Sequence, residues 1–319
     1  MASLEYAKCN MEKGVHALEL RVLRYFLAVA REESISAAAE YLHITQPTLS
    51  RQLMELEREL GAQLFTRSRK NRRIVLTDAG MRLRRRAEEI VELADKTEAE
   101  FAAGEEAVEG AVYLGGGESS AMTLVARTAR RMRLQYPQVR FDLFSGNADD
   151  VLERLDKGLL DFGLLVGSAN LERYDCLRLP QTDVWGLLLR RDHPLARQAA
   201  VSPGDLAGLP LLGARQTLMR NELAGWYGGD VEQLHIVANF NLINNAARLV
   251  EEGLGCALYL EGLLNTTGES ALCFRPFSPP LRLHLVLVWK KFQVFSRAAE
   301  VFLQTFREVL AETDETPGP

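Results

Sequence analysis

Residues 45–61 carry the pattern that most constrains how the amino-terminal part of this chain folds. Thr45 is a good helix N-cap, Pro47 falls in the first turn where a missing N–H is harmless, and Gly61 ends the segment. Between them, leucines recur at spacings of four, three and four residues, at Leu49, Leu53, Leu56 and Leu60. This spacing predicts a helix with one buried apolar face. Another face carries Gln46, Ser50, Met54 and Glu57, flanked by Pro47 and Arg51.

Two further helical patterns precede this segment. Apolar residues at i, i+3, i+4 and i+7 predict a first helix through residues 23–30. Ser36 is a suitable N-cap for a short second helix from Ala37 to Leu42, and His43-Ile44 links it tightly to the third. Two short helices joined by a few residues, the second with small polar and Arg side chains facing outward, are typical of a helix-turn-helix. An ordinary helical bundle with a polar face is the alternative.

A basic hairpin follows the third helix. Residues 64–67 and 74–77 form two strand-like runs, and Ser-Arg-Lys-Asn-Arg-Arg lies between them at 68–73. A hairpin beside a recognition helix is a wing, which touches phosphates or the minor groove, so it favours the helix-turn-helix over the bundle. The predicted DNA contacts lie on the helix and the wing: Thr45, Gln46, Pro47, Thr48, Ser50, Arg51, Arg67, Arg69, Lys70, Arg72 and Arg73.

The charge distribution supports a polyanionic partner for this segment. The chain has a net charge of −5, yet residues 21–86 carry 14 Lys and Arg against 7 Asp and Glu, and the remainder is acidic. A compact basic segment joined to an acidic body is typical of a nucleic-acid-binding module attached to another domain. Hydrophobic residues at 47% and charged residues at 25% exclude a disordered or fibrous chain, and no apolar run reaches the length of a membrane span.

A long helix is predicted from Thr77, which is a good N-cap, to about Glu106. Apolar and small residues repeat along it at spacings of four and three, at Leu83, Ala87, Ile90, Ala94, Thr97 and Phe101. This repeat is a heptad seam. A helix–helix dimer explains so narrow a seam more economically than packing on the same domain. A dimer also places two recognition helices on two half-sites.

Several motifs in combination resemble the signature of LysR-type transcriptional regulators. They are QPTLSRQL at 46–53, LE at 56–57, ELG at 59–61, LFxR at 64–67 and LTxAG at 76–80. The resemblance implies a winged helix-turn-helix domain at 18–77, with the helix-turn-helix proper at about 35–54. It also implies a dimerising linker helix at 78–108 and an effector-binding domain at 109–311. Residues 1–17 precede the usual family start, so Met11 is a second candidate initiator.

The carboxy-terminal body alternates between strand-like and helix-like segments. The predicted strands are 111–114, 139–144, 162–166, 184–190, 256–259 and 282–289, and the predicted helices are 120–135, 149–157, 217–226, 243–252 and 296–310. This alternation predicts a mostly parallel α/β sheet. The return to the first sheet at the end predicts two lobes, lobe I at 109–167 and 273–311 and lobe II at 168–272. The crossings are expected near Val166-Gly167 and Cys273-Phe274, and residues 312–319 are expected to form a disordered tail.

This body is similar to the periplasmic-binding-protein-like effector domain of the same family. The matching motifs are YPxV at 136–139, GN at 146–147, GxxD at 158–161 and LVxxGLG at 249–255, while Leu-Val-Ala at 124–126 replaces the usual Leu-Pro. The predicted fold class is therefore multidomain. An all-α winged helix-turn-helix with a long dimerising linker helix is followed by an α/β two-lobed periplasmic-binding-protein-like effector domain.

A ligand cleft is expected between the lobes, because ligands of open α/β sheets gather beyond the carboxyl ends of strands and near helix N-termini. The candidate effector contacts follow strands or begin helices: Ser119, Ser120, Ser145, Asn147, Arg215, Gln216, Thr217 and Asn241. Each residue taken singly is better explained as a helix cap, and only their convergence on one cleft favours a polar ligand site. Positive helix ends together with Arg215 favour a carboxylate or similar anion.

Other classes of protein fit the sequence less well. Gly-Glu-Ser-Ser-Ala at 117–121 only half matches a nucleophile elbow, and the five histidines are dispersed, so an enzyme is not expected. A solute-binding protein has no use for a basic winged domain. The four cysteines show no zinc spacing and are expected to be reduced, mostly buried thiols in a cytoplasmic protein without metal or fixed cofactor. The expected partners are double-stranded DNA, a second copy or a tetramer of this chain, and RNA polymerase, with no membrane. A ligand-independent DNA-binding repressor is the alternative function.

Overall fold

The computed structural model describes residues 18–67, 73–102, 107–166, 171–214, 217–229 and 231–314. The chain divides into two compact units, Met1–Glu98 and Ala99–Pro319. Each unit has its own buried apolar core. No helix in the described part of the chain is long and apolar enough to cross a membrane.

Within its described residues, 18–67 and 73–98, the first unit contains three helices, an antiparallel hairpin and most of a long helix. Their bounds are α1 Leu20–Glu32, α2 Ile35–Tyr41, α3 Gln46–Leu60, β1 Phe65–Arg67, β2 Ile74–Leu76 and α4 Asp78–Ala102. Phe26, Leu49 and Leu56 are buried in the core of this unit. The Phe26 and Phe65 rings lie 5.2 Å apart, so the hairpin packs on the helical core. The three short helices and the hairpin are confirmed.

Helix caps define where these helices begin and end. The Thr45 hydroxyl accepts the Thr48 N–H at 3.4 Å, and Gly61 ends α3 with φ of 60°, as predicted. The predicted cap of α2 is wrong. Ser34 caps this helix by accepting the Ala37 N–H at 3.3 Å, and Ser36 lies inside the helix. Ser34 takes this role because its backbone is extended, directly after the left-handed residue Glu33 that ends α1.

The long helix α4 packs partly on its own unit. Leu83 and Ala87 join the core formed by α1, α2 and α3, together with Val91. The seam was expected to pack against a partner chain rather than against its own domain. This expectation is wrong for Leu83 and Ala87, its first two positions, because the hairpin places the start of α4 against that core. Further along, Ile90 is 41% exposed and Phe101 is 85% exposed. Residues 103–106, where the helix was expected to end, lie outside the described residues.

The second unit is a mixed sheet with helices on its faces. Its strands are β3 Gly110–Gly116, β4 Val139–Ser145, β5 Phe162–Val166, β6 Tyr174–Arg190, β7 Leu211–Ala214, β8 Ile236–Phe240, β9 Cys256–Leu260, β10 Leu272–Pro276 and β11 Arg282–Lys290. Its helices are α5 Met122–Gln135, α6 Ala148–Asp156, α7 Thr217–Tyr227, α8 Ile243–Glu251 and α9 Arg297–Asp314. The strand order is β4-β3-β5-β11-β6-β9-β7-β8, with β10 also paired to β6. Since α9 extends to Asp314, residues 312–314 are helical rather than tail, and 315–319 lie outside the described residues.

The prediction of a mostly parallel sheet is wrong because one long strand runs against its neighbours. Strand β6 has 17 residues and is antiparallel to β11, β9 and β10, and β11 is also antiparallel to β5. The parallel pairs are those of β3 with β4 and β5, and of β7 with β8 and β9. Strands β7, β8 and β10 and the first half of β6 were not predicted.

Strand β6 also changes where the chain crosses between lobes. Its first residues pair with β11 of lobe I, and residues 185–190 pair with β9 and β10 of lobe II. The buried residues pass from the lobe I core to the lobe II core between Leu179 and Trp185 of β6, and back again between Leu283 and Leu285 of β11. The two crossings therefore lie within these paired strands. The expected crossing near Cys273-Phe274 is wrong because β10 packs in the cores of lobe II. Val166 ends β5, and Gly167 lies outside the described residues.

The described cysteines are free thiols. Cys256 and Cys273 are buried and Cys176 is exposed, so the expectation of mostly buried thiols is confirmed for these three. Burial raises the pKa of the Cys256 thiol to about 11, and the neighbouring Cys273 adds to this shift. At neutral pH the Cys256 thiol is therefore uncharged and unreactive.

Candidate nucleic-acid interface and ligand cleft

Helix α3 presents its predicted polar face to solvent. Leu49, Leu53 and Leu56 anchor the opposite side in the core. Most of the predicted contacts on this helix are exposed, namely Thr45, Gln46, Pro47, Thr48 and Arg51, and Ser50 is half-buried. The Gln46 amide donates to the Ser50 hydroxyl at 3.2 Å. The Arg51 side chain is 75% exposed, and its Nε lies 3.5 Å from the Glu55 carboxylate. Because exposed ion pairs are weak, Arg51 can leave Glu55 to bind another anion or a base edge.

The hairpin is tied to the first helix beside α3. Arg67 ends β1, and Arg73 precedes β2. The Arg73 guanidinium lies 3.0 Å from the Glu33 carboxylate, and the Ile74 N–H donates to the Glu33 carbonyl at 3.0 Å. The base of the wing is therefore held at the carboxyl end of α1. Arg69, Lys70 and Arg72 lie outside the described residues.

Glu57 joins the recognition helix to the wing. Its carboxylate accepts the backbone N–H groups of Leu64 at 2.6 Å and Phe65 at 3.2 Å. Thr77 follows β2, and its hydroxyl donates to the carbonyl of Gln63, which precedes β1, at 2.6 Å. This bond joins the two ends of the hairpin. These bonds set the position of the hairpin relative to the exposed face of α3.

A cleft of about 410 Å³ lies between the two lobes of the second unit. Lobe I contributes the residues after β3 and β4 and the start of α6, and lobe II contributes β6, β8, β9 and the start of α8. The polar and aromatic side chains in its lining are Glu118, Ser145, Asn147, Asp150, Trp185, Asn239, Phe240, Asn241 and Tyr259. A carboxylate bridges the lobes, because Glu118 Oε2 accepts the Ile243 N–H at 2.8 Å.

Comparison with known proteins agrees with both parts of this structure. Residues 105–311 match the LysR substrate binding domain, and residues 20–81 match the bacterial regulatory helix-turn-helix protein of the lysR family. The chain belongs to the LysR family of transcriptional regulators. The LysR effector domain alone accounts for well over half of the chain, and the LysR helix-turn-helix covers α1, α2, α3 and the hairpin.

Relatives of full length occur within the LysR family. The Hca operon transcriptional activator HcaR of Escherichia coli is 30% identical over 301 residues, covering 92% of this chain and 99% of the relative. An uncharacterized HTH-type transcriptional regulator, YvbU of Bacillus subtilis, is 25% identical over 291 residues, covering 90% of this chain and 97% of the relative. These relatives are regulators and not enzymes, so the protein is a LysR-type DNA-binding transcriptional regulator.

Solved LysR-family structures share the fold. The crystal structure of CbnR, a LysR family transcriptional regulator, has a TM-score of 0.71 at 20% identity and covers 92% of this chain and 99% of that chain. Full-length CbnR complexed with its target DNA has a TM-score of 0.70 at 20% identity, covering 92% of this chain and 100% of that chain. The fold class predicted from the sequence is thereby shown.

The cleft brings together only part of the predicted effector set. Ser145, Asn147 and Asn241 line it. Ser119 is buried and its hydroxyl accepts the Ala121 N–H at 3.2 Å, while Ser120 bonds to the Asp183 carboxylate through both its N–H and its hydroxyl. The two serines are therefore committed to protein partners. Thr217 begins α7, and Arg215 and Gln216 lie outside the described residues.

Several cleft residues were missed by the sequence reasoning. Glu118, Asp150 and Tyr259 all line the cleft. Glu118 lies two residues after the end of β3 and next to Ser119, so the rule that selected Ser119 and Ser120 applied to it equally. Asp150 lies in the first turn of α6 and was identifiable in the same way. Nothing local in the sequence marks Tyr259, because it lies inside strand β9.

We expect Glu57→Ala to destabilise the DNA-binding unit by about 1–3 kcal/mol, because two partly buried N–H groups lose their acceptor. Chemical unfolding of the full-length protein, followed by a probe in this unit, measures the effect. Glu59→Ala is the matched control, since Glu59 is exposed in the same helix and should change stability by less than about 0.5 kcal/mol. Equal stabilities of the two variants would show that Glu57 does not hold the wing.

Proposed function

We propose that this LysR-type regulator binds DNA as a homodimer, paired through α4 and able to assemble into a tetramer. The amino-terminal turns of α3 read base edges in the major groove, and the wing contacts the phosphate backbone. The observation that carries this proposal is the exposed polar face of α3 above three buried leucines, with the wing tied beside it by Glu57 and Glu33. A recognition helix placed in this way enters the major groove with its first residues leading.

The dimer in this proposal rests on α4. The exposed apolar residues Ile90 and Phe101 lie on the predicted seam beyond the part that packs on its own unit. Large apolar side chains left in water along one line of a long helix favour pairing with a second helix. Two paired chains carry two α3 helices, as two-fold DNA sites require.

The cleft in this proposal holds a small metabolite that modulates DNA binding. Its volume of about 410 Å³ falls within the range of small-molecule sites, and its lining joins both lobes. A ligand between lobes acts through a difference in affinity for two lobe arrangements. The regulator would then act in the cytoplasm, on transcription by RNA polymerase, with no fixed cofactor.

Arg51→Ala tests the readout by α3. We expect a loss of about 1–3 kcal/mol in specific DNA affinity and a relaxed preference at one base position, because an Arg at this place bonds to a base edge. Full-length protein is measured by fluorescence anisotropy on the specific DNA and on single-base variants of it.

Arg58→Ala is the matched control for Arg51→Ala. It removes the same charge from the same helix, two turns beyond Arg51, where α3 leaves the groove. It should weaken binding to all DNA sequences alike. If Arg51→Ala leaves affinity and base preference intact, or changes them no more than Arg58→Ala does, the proposed readout is wrong.

A further inference from the structure

Both helix N-termini at the cleft already hold protein carboxylates. At α8, the first helical N–H, that of Ile243, donates to Glu118. At α6, Asn147 accepts the Asp150 N–H at 3.0 Å and donates its amide to the Asp150 carboxylate at 2.6 Å, and Asp149 lies in the same turn. Negative side chains at these positions offset the positive ends of the helix dipoles. The positive helix ends, which favoured an anionic ligand, are therefore already neutralised by protein carboxylates at both helices.

The charge of the lining points the same way. Among the described residues that line the cleft, the carboxylic acids are Glu118 and Asp150, and there is no Lys, Arg or His. A carboxylate ligand placed beside these two groups would be repelled. The described lining thus favours a cation over the anion expected from the sequence.

The walls of the cleft are aromatic. Trp185, Phe240 and Tyr259 line it, and their ring faces attract cations. The Trp185 indole N–H is buried and has no hydrogen-bond partner among the described residues. Buried polar groups are normally paired, so this donor is available to an acceptor atom on the uncharged part of a ligand.

The electrostatic environment of Tyr259 agrees with this lining. Burial raises the pKa of the Tyr259 hydroxyl well above its usual range, and the negative charge of Glu118 raises it further. Hydrogen bonds from the backbone N–H groups of Leu264 and Leu263 lower this pKa and only partly offset the rise. The phenol therefore remains protonated and experiences a negative potential, which stabilises a cation nearby.

We propose that the cleft binds a small organic amine. Its ammonium group pairs with the carboxylates of Glu118 and Asp150 against the aromatic walls, and its uncharged part meets Trp185 and Tyr259. This inference rests on the proposed function of the cleft as an effector site and assigns the charge of the effector. An ammonium group on Glu118 competes with the Ile243 N–H, so binding weakens the bond that joins the lobes. The amine therefore has different affinities for the joined and separated lobes.

The test uses full-length protein and a library of compounds in matched sets. Each set has one carbon skeleton carrying an amine, an alcohol or a carboxylate, as in benzylamine, benzyl alcohol and benzoate. Thermal shift identifies binders and calorimetry measures their Kd. We expect binders among the amines and none among the matched carboxylates. Glu118→Gln and Asp150→Asn should each weaken the best amine about tenfold or more, as expected for a lost hydrogen bond to a charged group.

Asp149→Asn is the matched control, because Asp149 is exposed in the same turn of α6 but does not line the cleft. It should leave the Kd of the amine unchanged. Glu118→Gln also removes a hydrogen bond between the lobes, so it could weaken amine binding indirectly. Asp150→Asn does not have this effect, since Asp150 forms no bond between the lobes in the described structure.

The outcomes separate this inference from the function on which it rests. Carboxylates that bind the wild type, and bind Glu118→Gln more tightly, would overturn the amine and leave the effector cleft intact. An amine whose Kd is the same in Glu118→Gln, Asp150→Asn and Asp149→Asn would also overturn it. No binder of any charge across the library would overturn both the amine and the effector cleft.

Discussion

The specific DNA affinity of the full-length protein is expected to fall by about 10³-fold or more between 50 and 200 mM salt, the range for proteins that make 6–10 phosphate contacts. The reason is the basic segment 21–86, with its excess of Lys and Arg over Asp and Glu in a chain of net charge −5. Two such segments on one DNA site release the counterions of many phosphates. The overall acidity of the chain should not prevent this, because interactions beyond about 10 Å are screened at these salt concentrations.

The measurement is a series of anisotropy titrations at several salt concentrations. The slope of log affinity against log salt gives the number of neutralised phosphates, about 0.9 per contact. Arg51→Ala should change the slope by no more than one contact, because a base contact carries little of this dependence. A flat dependence would contradict phosphate binding by the basic segment.

Replacing the exposed apolar residues of α4 is expected to separate the two chains. In the double variant Ile90→Asp and Phe101→Asp, like charges face each other along the proposed helix pair. The dimer should dissociate at micromolar concentration in analytical ultracentrifugation. Affinity for a DNA site with two half-sites should fall by about 10²–10⁴-fold, because the second half-site loses its high effective concentration.

The fold of the monomer should survive this double substitution, since Ile90 is 41% and Phe101 is 85% exposed. Leu134→Asp is the control, because Leu134 is 78% exposed on α5, distant from α4 in sequence. It should leave both the dimer and DNA binding intact. A double variant that remains dimeric, with unchanged DNA affinity, would show that α4 does not pair the chains.

The first unit was predictable from the sequence because its structure is specified by local signals. Thr45, Pro47 and Gly61 mark the ends of α3, and the leucine spacing marks its buried face. The error at Ser36 arises where two serines are both acceptable caps. The choice between them depends on the left-handed residue Glu33, whose conformation has no simple sequence signal. The role of Glu57 was also missed, because its partners lie on the hairpin.

The second unit was less predictable because its sheet depends on contacts distant in the chain. Strand β6 is extended through 17 residues because β11 supports its first part and β9 and β10 support its second part. Its first part alternates polar and apolar residues irregularly and reads as a loop. The antiparallel pairs of β6 and the crossing between Leu179 and Trp185 follow from this one strand.

The cleft side chains were also only partly predictable, because their partners are distant in the chain. Strand ends and helix starts placed the cleft correctly at Ser145, Asn147 and Asn241. Sequence position alone does not show which side chains already have protein partners. Ser120 bonds to Asp183, 63 residues away, and Glu118 bonds to Ile243, 125 residues away. The charge of the cleft depends on these distant pairings.

Selection of genomic DNA fragments by the full-length protein tests the central claim most directly, namely that α3 of a paired chain reads a specific site. Fragments retained by the wild type and by Arg51→Ala are sequenced and compared. We expect the wild type to enrich a small set of fragments that share two related half-sites about one helical turn apart or a multiple of it. Arg51→Ala should lose the base preference at one position of each half-site. Wild-type protein that enriches no common sequence, or enriches the same sequence as Arg51→Ala, would contradict this account.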